Sequence, residues 1–87
     1  MATRTRGISK SVHSSELAEF RALMVETRKQ AGLTQQQLAK KIGKPQSFIA
    51  KYEGGERRLD AVEFIKIVRA IGVDPIAVFR ALIRRVG

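Results

Sequence analysis

The chain has 87 residues and a formal net charge of +9 at pH 7, from 17 lysines and arginines against 8 aspartates and glutamates. This length allows one small domain and excludes a two-domain enzyme with a cleft between its domains, and the absence of cysteine excludes a disulfide scaffold and a thiolate metal site. No apolar run approaches the roughly 18 residues of a membrane span, so we expect a cytoplasmic protein with no membrane partner, and the excess positive charge indicates a polyanionic ligand.

The first 13 residues contain three basic residues and no acidic one: Arg4, Arg6 and Lys10. We expect residues 1–13 to form a flexible basic arm in front of a folded domain that spans residues 14–87. Two interpretations of the arm stay open, because it is either plain disorder or a segment whose arginines follow a duplex into the minor groove. His13, the only histidine, has no metal-site spacing to other ligand residues, so we expect it to face solvent and predict no metal.

No stretch alternates strictly between apolar and polar residues, so the sequence predicts an all-α domain of five helices. A glycine follows each helical segment, as is typical of helix C-termini. The first helix is predicted to begin at Ser14 or Ser15 and to run to about Ala31, with acidic residues near its start and basic residues near its end. Its inward face is expected to carry a set of side chains at helical spacing: Leu17, Phe20, Leu23, Met24, Thr27 and Ala31.

The second helix is predicted over about residues 35–42. Thr34 provides its N-cap, Gln37 completes a capping box three residues later, and Gly43 ends the helix. Because about two turns are too short to be stable alone, this helix must depend on tertiary packing.

The third helix is predicted over about residues 46–53, with Pro45 in its first turn and Ile49 and Tyr52 facing inward. The stretch that holds the second and third helices, residues 34–58, has six basic residues against two acidic ones, a net charge of +4. We call this stretch the basic segment. A surface built for solubility alone would intersperse the two signs more evenly.

Aspartate caps open the last two helices, Asp60 with Glu63 three residues later and Asp74 with Pro75 directly after it. The fourth helix is expected to bury four side chains: Phe64, Ile65, Val68 and Ile71. The fifth helix carries an apolar series whose members either complete the core or form the seam of a dimer: Ile76, Phe79, Leu82, Ile83 and Val86.

Two short helices joined by a tight turn inside the basic segment predict a helix-turn-helix, in which one helix enters the major groove and the other braces it. The strings LTQQQLAKKIG at residues 33–43, SFI at 47–49 and YEGG at 52–55 resemble the Cro/repressor (Xre-type) helix-turn-helix family. The resemblance covers roughly residues 16–75. It implies a compact five-helix domain of the lambda-repressor-like type.

The resemblance also implies roles for particular residues. Thr34 and Gln35 match phosphate-binding positions at the start of the second helix, and Arg57 and Arg58 match positions that contact the DNA backbone. Arg28 and Glu53 match an ion pair that orients the third helix. The major-groove face and its basic neighbour comprise Lys44, Pro45, Gln46, Ser47 and Lys51. Of these, Gln46 has the geometry to read adenine, and Lys51 can read guanine.

Three positions depart from the family pattern. Pro45 stands where the family usually has a capping hydroxyl, Leu59 stands where proline is common, and Phe48 replaces a residue that is more often small and polar. Two interpretations of Phe48 remain open: it packs against neighbouring apolar groups, or it points outward to a thymine methyl.

The sequence therefore predicts a sequence-specific regulator of transcription that binds double-stranded DNA, acts as a repressor, and binds an inverted repeat as a homodimer. We expect no catalytic activity and no cofactor, and a location at the nucleoid when the protein is bound to DNA. The alternative is an antitoxin or adaptor that uses the same fold mainly to bind another protein. RNA binding has less support, because the aromatic residues are expected to lie in the core.

Overall fold

The computed structural model describes residues 15–87 and forms five helices within them. These are α1 (Ser15–Gln30), α2 (Gln35–Lys41), α3 (Gln46–Glu53), α4 (Ala61–Ile71) and α5 (Pro75–Val86), and the described residues contain no strand. The predicted all-α, five-helix fold is confirmed. The predicted arm, His13 and a helix start at Ser14 lie outside the described residues.

The predicted capping boxes are present at both α2 and α4. At α2 the Thr34 hydroxyl accepts from the Gln37 amide at 3.0 Å, and the Gln37 side chain accepts from the Thr34 amide at 2.9 Å. At α4 the Asp60 carboxylate accepts from the Glu63 amide at 2.7 Å, and Glu63 returns the contact at 2.9 Å. These local contacts satisfy backbone donors that an α-helix leaves unpaired at its start.

The turn between α2 and α3 depends on Gly43, whose φ of +68° lies in the left-handed region. This conformation costs a residue with a Cβ atom roughly 1–2 kcal/mol. It lets the Lys44 amide donate to the Ala39 carbonyl at 3.0 Å, which ends α2 and turns the chain toward α3. No side chain caps α3, whose N-cap is Pro45.

The core lies where all five helices meet. Its most deeply buried large side chains come from four different helices: Met24, Leu38, Ile49, Ile67 and Val68. The predicted inward residues Ile49 and Tyr52 of α3 are both buried.

Two details of the predicted core are wrong. Ile65 was expected to be buried and is 38% exposed, whereas Ile67 is 1% exposed. The buried stripe of α4 runs Phe64, Ile67, Val68 and Ile71, a three-four-seven spacing that leaves Ile65 about 100° away from it. In α1, Ala31 is exposed, because it follows the last helical residue, Gln30.

Of the apolar series of α5, Leu82 packs against the core and the other four members are exposed. Only Val78 of this helix is buried, while Ile76, Phe79 and Ile83 are each more than half exposed. The helix turns a different face inward, with Ala81 and Leu82 partly buried against the core. Arg85 fixes its end to α1 through Glu26, with Nη2–Oε1 at 2.6 Å and Nη1–Oε2 at 3.2 Å.

Candidate nucleic-acid interface

A buried ion pair joins α1 to the end of α3. Arg28 donates to Glu53 from Nε at 2.8 Å and from Nη2 at 2.9 Å, and the two side chains are 8% and 6% exposed. The remaining terminal nitrogen of Arg28, Nη1, donates to the Leu33 carbonyl at 2.8 Å. Because one guanidinium on α1 binds both the end of α3 and the loop before α2, it fixes the angle of α3 relative to α1 and to the start of α2.

A chain of amide contacts extends from this pair to the first turn of α3. The Gln35 side chain donates to Glu53 Oε1 at 2.8 Å, and its carbonyl oxygen accepts from the Gln46 side chain at 3.4 Å. Gln35 and Gln46 are the first residues of α2 and α3. The structure therefore brings both predicted contact residues together and holds them from the buried side.

The outer face of α3 is exposed along its length. Gln46, Ser47 and Lys51 all lie on it, and Lys44 and Pro45 are exposed in the turn before it. Ala50 lies on the same face and is exposed, although the sequence prediction did not include it. Its spacing of three residues from Ser47 is the signal that would have identified it. The face is thus polar at both ends with a small methyl group between.

Phe48 is half-buried and its ring has three neighbours. Tyr52 meets it edge-on with centroids 5.8 Å apart, the Arg57 guanidinium carbon lies 4.6 Å from its centroid, and the Lys44 ammonium lies 5.6 Å from it. Both cations are within the range of a cation–π attraction. These contacts correspond to the packing interpretation of Phe48, and they bring two predicted DNA-contacting cations to one ring.

Arg57 binds the first turn of α4. Its Nη2 donates to Glu63 Oε2 at 2.8 Å, and its Nη1 donates to Glu63 Oε1 at 3.1 Å and to the Arg58 carbonyl at 3.0 Å. The guanidinium of Arg57 is the largest cause that lowers the pKa of Glu63 from its ordinary 4.5 to about 2, and the Asp60 amide adds to the effect. The Arg58 side chain has no polar partner among the described residues.

Thr34 is exposed at the start of α2. Its hydroxyl oxygen accepts the Gln37 amide, which leaves the hydroxyl proton available for an acceptor in a ligand. Of the remaining lysines in the basic segment, Lys40 and Lys41 are both exposed. Lys40 lines one shallow surface region together with Lys44 and Gln46, so part of the positive charge of this segment lies beside the first turn of α3.

A concave region of about 360 Å³ lies beside this surface, between α1 and the loop after α3. It is lined by Arg21, Tyr52, Gly55 and Arg58 among others. The sequence prediction did not place Arg21 here. The Arg21 side chain lies so close to Gly55 that a Cβ atom on this glycine would be 3.2 Å from the Arg21 guanidinium carbon. The Tyr52 hydroxyl is buried without a hydrogen-bond partner in the described part of the chain, and its burial raises its pKa.

Residues 15–87 contain no group of three or more histidine, cysteine, aspartate or glutamate side chains placed to hold a metal ion. In the same residues, no helix has the length and apolar character required to cross a membrane.

Comparison with known proteins identifies the class. A helix-turn-helix family model matches residues 25–77, which is more than half of the chain. The chain belongs to the Xre-type helix-turn-helix family, a class of DNA-binding regulators of transcription. The resemblance inferred from residues 33–55 is therefore confirmed. A comparison with curated protein sequences finds no match.

Two solved structures are similar over most of the chain. An XRE-family-like protein from Pseudomonas syringae pv. tomato str. DC3000 shares 40% identity and a TM-score of 0.82, covering 92% of this chain and 98% of its own. A point mutant of the restriction-modification controller protein C.Esp1396I shares 25% identity and a TM-score of 0.77, covering 84% of this chain and 97% of its own.

Replacement of Glu53 by alanine tests the buried pair. The change leaves the Arg28 guanidinium buried without its carboxylate, so we expect the free energy of unfolding to fall by about 3–5 kcal/mol. Urea denaturation followed by circular dichroism measures this loss. The control is Glu56→Ala, since Glu56 is exposed in the following loop and should change stability by less than about 0.5 kcal/mol. Equal stability of the two variants would contradict the assigned role of the pair.

The Arg57–Glu63 contact predicts a specific pH dependence. Because the pKa of Glu63 is lowered on folding to about 2, the stability from this contact is fully present above pH 4.5 and is lost as the pH falls toward 2. Carboxyl-carbon NMR should give a Glu63 midpoint near 2 in the wild type and a clearly higher one in Arg57→Ala. An identical midpoint in the two proteins would show that the contact is absent in solution.

Proposed function

We propose that this protein is a sequence-specific, double-stranded-DNA-binding repressor of transcription that reads the major groove with α3 as a homodimer on an inverted repeat. The observation that carries the proposal is the exposed polar face of α3, held from behind by the buried Arg28–Glu53 pair, with Lys44 and Arg57 beside Phe48 of the same helix. Its similarity to a controller protein supports a regulatory role. A repressor needs no more than occupancy of its site, which a domain of this size can provide.

Two residues of α3 supply base recognition in this proposal. One N–H of the Gln46 amide is directed to Gln35, so its second N–H and its carbonyl oxygen are available for the N7 and N6 groups of adenine. Lys51 lies one turn further along the same exposed face and can donate to guanine O6 and N7. Ser47 and the methyl group of Ala50 complete the surface that meets the base edges.

Phosphate contacts fix the protein on the duplex in this proposal. They come from four exposed residues, Thr34, Lys44, Arg57 and Arg58, and from the half-buried Gln35 at the start of α2. Such contacts add affinity for any sequence and make binding dependent on salt, whereas base contacts discriminate between sequences.

An exposed apolar surface on α4 and α5 supports the homodimer. We call Ile65, Ile76, Phe79, Ile83 and Val86 the apolar surface; these residues are 36–59% exposed. A groove of about 670 Å³ runs through it between the two helices. Leu82, part of the seam expected from the sequence, is partly buried against the core instead.

A second copy of this chain fits the apolar surface best. The edge of this surface carries the acidic Asp74 as well as the basic Arg69 and Arg80. A surface with charges of both signs can be complementary to itself across a two-fold axis. Two copies related in this way present two α3 helices to half-sites about one helical turn apart.

The same apolar surface favours a second candidate, an antitoxin or adaptor whose main ligand is a different protein. An exposed apolar area of this kind marks a protein interface without specifying the partner. This function predicts a monomer in the absence of that partner and DNA binding with little sequence preference.

Two substitutions distinguish base recognition from phosphate binding. Across a panel of duplexes that differ by single base pairs, Lys51→Ala should lose about 1–3 kcal/mol on the preferred duplex and should relax discrimination at one position. Arg57→Ala should weaken binding to every duplex alike. The slope of the logarithm of affinity against the logarithm of salt concentration should become shallower by about 1, because one phosphate contact is lost. If the two variants give the same pattern, the proposed division of roles between them is wrong.

Phe79→Asp tests the homodimer. A charge in the middle of the apolar surface should convert a dimer to a monomer, as measured by sedimentation equilibrium at matched concentrations. Ala77→Asp is the control, because Ala77 is exposed on another face of α5, beside Val73 and Ala81. An unchanged dimer in Phe79→Asp excludes this surface as the seam, and a wild-type monomer favours the second candidate.

A further inference from the structure

The guanidinium of Arg57 is bound on one edge only. Its terminal nitrogens Nη2 and Nη1 donate to the Glu63 carboxylate at 2.8 Å and 3.1 Å, respectively. Nη1 also donates its second proton to the Arg58 carbonyl at 3.0 Å. Phe48 lies beneath the guanidinium carbon at 4.6 Å. The side chain is therefore held by a carboxylate, a carbonyl and an aromatic ring before any ligand arrives.

The other edge of the same guanidinium has no partner among the described residues. It comprises Nε–H and the second proton of Nη2, which point in one direction because the group is planar. Arg28 uses the equivalent edge, Nε with Nη2, to bind both oxygens of Glu53. The Arg57 side chain is 40% exposed, so a phosphate with two oxygens can approach this edge.

We propose that Glu63 is a positioning residue for DNA binding, which holds Arg57 on the Phe48 ring with its second edge presented to a backbone phosphate. Glu63 does not contact DNA itself. This inference rests on the proposed DNA-binding function and adds a residue outside the basic segment, since Glu63 lies in the first turn of α4.

Two opposite effects of Glu63 on DNA affinity have to be compared. Its negative charge repels phosphate, so its removal strengthens the attraction of the surface for DNA in general. Its contacts also order a long side chain, so the loss of rotamer freedom occurs on folding and not on binding. The positioning role requires the second effect to exceed the first, which makes the sign of the change in affinity decisive.

Glu63→Gln removes the negative charge and the two-oxygen contact with Arg57 but keeps the capping box of α4. Glutamine serves at this position of a capping box as well as glutamate does, so the side chain can still accept from the Asp60 amide. Glu56→Gln is the matched control. Glu56 lies in the loop before α4, so its substitution removes the same charge without removing a contact to Arg57. Urea denaturation establishes that both variants are folded.

The experiment measures affinity for two duplexes of equal length, one bearing the preferred site and one of random sequence. Glu63→Gln should bind both about threefold to tenfold more weakly than wild type, which is the fold-change for ordering one long side chain, although the protein has become more positive. Glu56→Gln should bind as tightly as wild type or more tightly. Phe48→Leu, which keeps an apolar group but removes the flat ring, should also weaken binding to both duplexes.

The double variant Arg57→Ala/Glu63→Gln decides whether Glu63 acts through Arg57. Relative to Arg57→Ala, the added change should cause no further weakening, because there is no guanidinium left to position. Equal or tighter binding by Glu63→Gln than by Glu56→Gln overturns the proposal, as does the same weakening with and without Arg57. A wild-type protein that binds neither duplex overturns the proposed function and, with it, this inference; a failure of the inference alone leaves wild-type binding intact.

Discussion

The buried Arg28–Glu53 pair is the contact on which the rest of the site depends. Breaking a pair of this kind leaves a charge in the interior and costs about 3–5 kcal/mol. Its hydrogen bonds reach α1, the loop at Leu33 and the end of α3, and Gln35 adds the start of α2. The exposed face of α3 is consequently displayed by a scaffold that cannot rotate without separating these charges.

A second polar cluster performs a similar task at the surface. Glu63, in α4, holds Arg57 against Phe48 of α3, with Lys44 nearby, so Arg57 is ordered by one residue outside the helix-turn-helix and one inside it. The two clusters differ in exposure, since the Arg28 side chain is 8% exposed and that of Arg57 is 40% exposed. The buried cluster determines where α3 lies, and the exposed one retains donors for a ligand.

Much of the fold could be predicted because its signals are local. The pairs Thr34 with Gln37 and Asp60 with Glu63 each predict a helix start from four consecutive residues, and the structure has a capping box at both places. Gly43 predicts the turn between α2 and α3 in the same way. The motif around α2 and α3 was sufficient to identify the family, because these residues are constrained by the geometry of two helices packed at a fixed angle.

Contacts that depend on the path of a loop could not be predicted in this way, and the Arg28–Glu53 pair was expected only because the family resemblance implied it. The pairing of Arg57 with Glu63 depends on how the loop after α3 returns to α4, and the sequence gives no distance between them. The faces of α4 and α5 were ambiguous because apolar residues occur on more than one side of each helix. Ile65 was assigned to the core and Ile67 was not, whereas only the packed structure shows which stripe faces inward.

In the proposed function, the outer face of α3 reads DNA sequence. Selection from a pool of random duplexes at about 150 mM salt tests it most directly, because this salt concentration screens the general attraction between a basic protein and DNA. We expect enrichment of an inverted repeat with half-sites about one helical turn apart. A folded protein that enriches no sequence would contradict it, since the basic surface would then supply affinity alone.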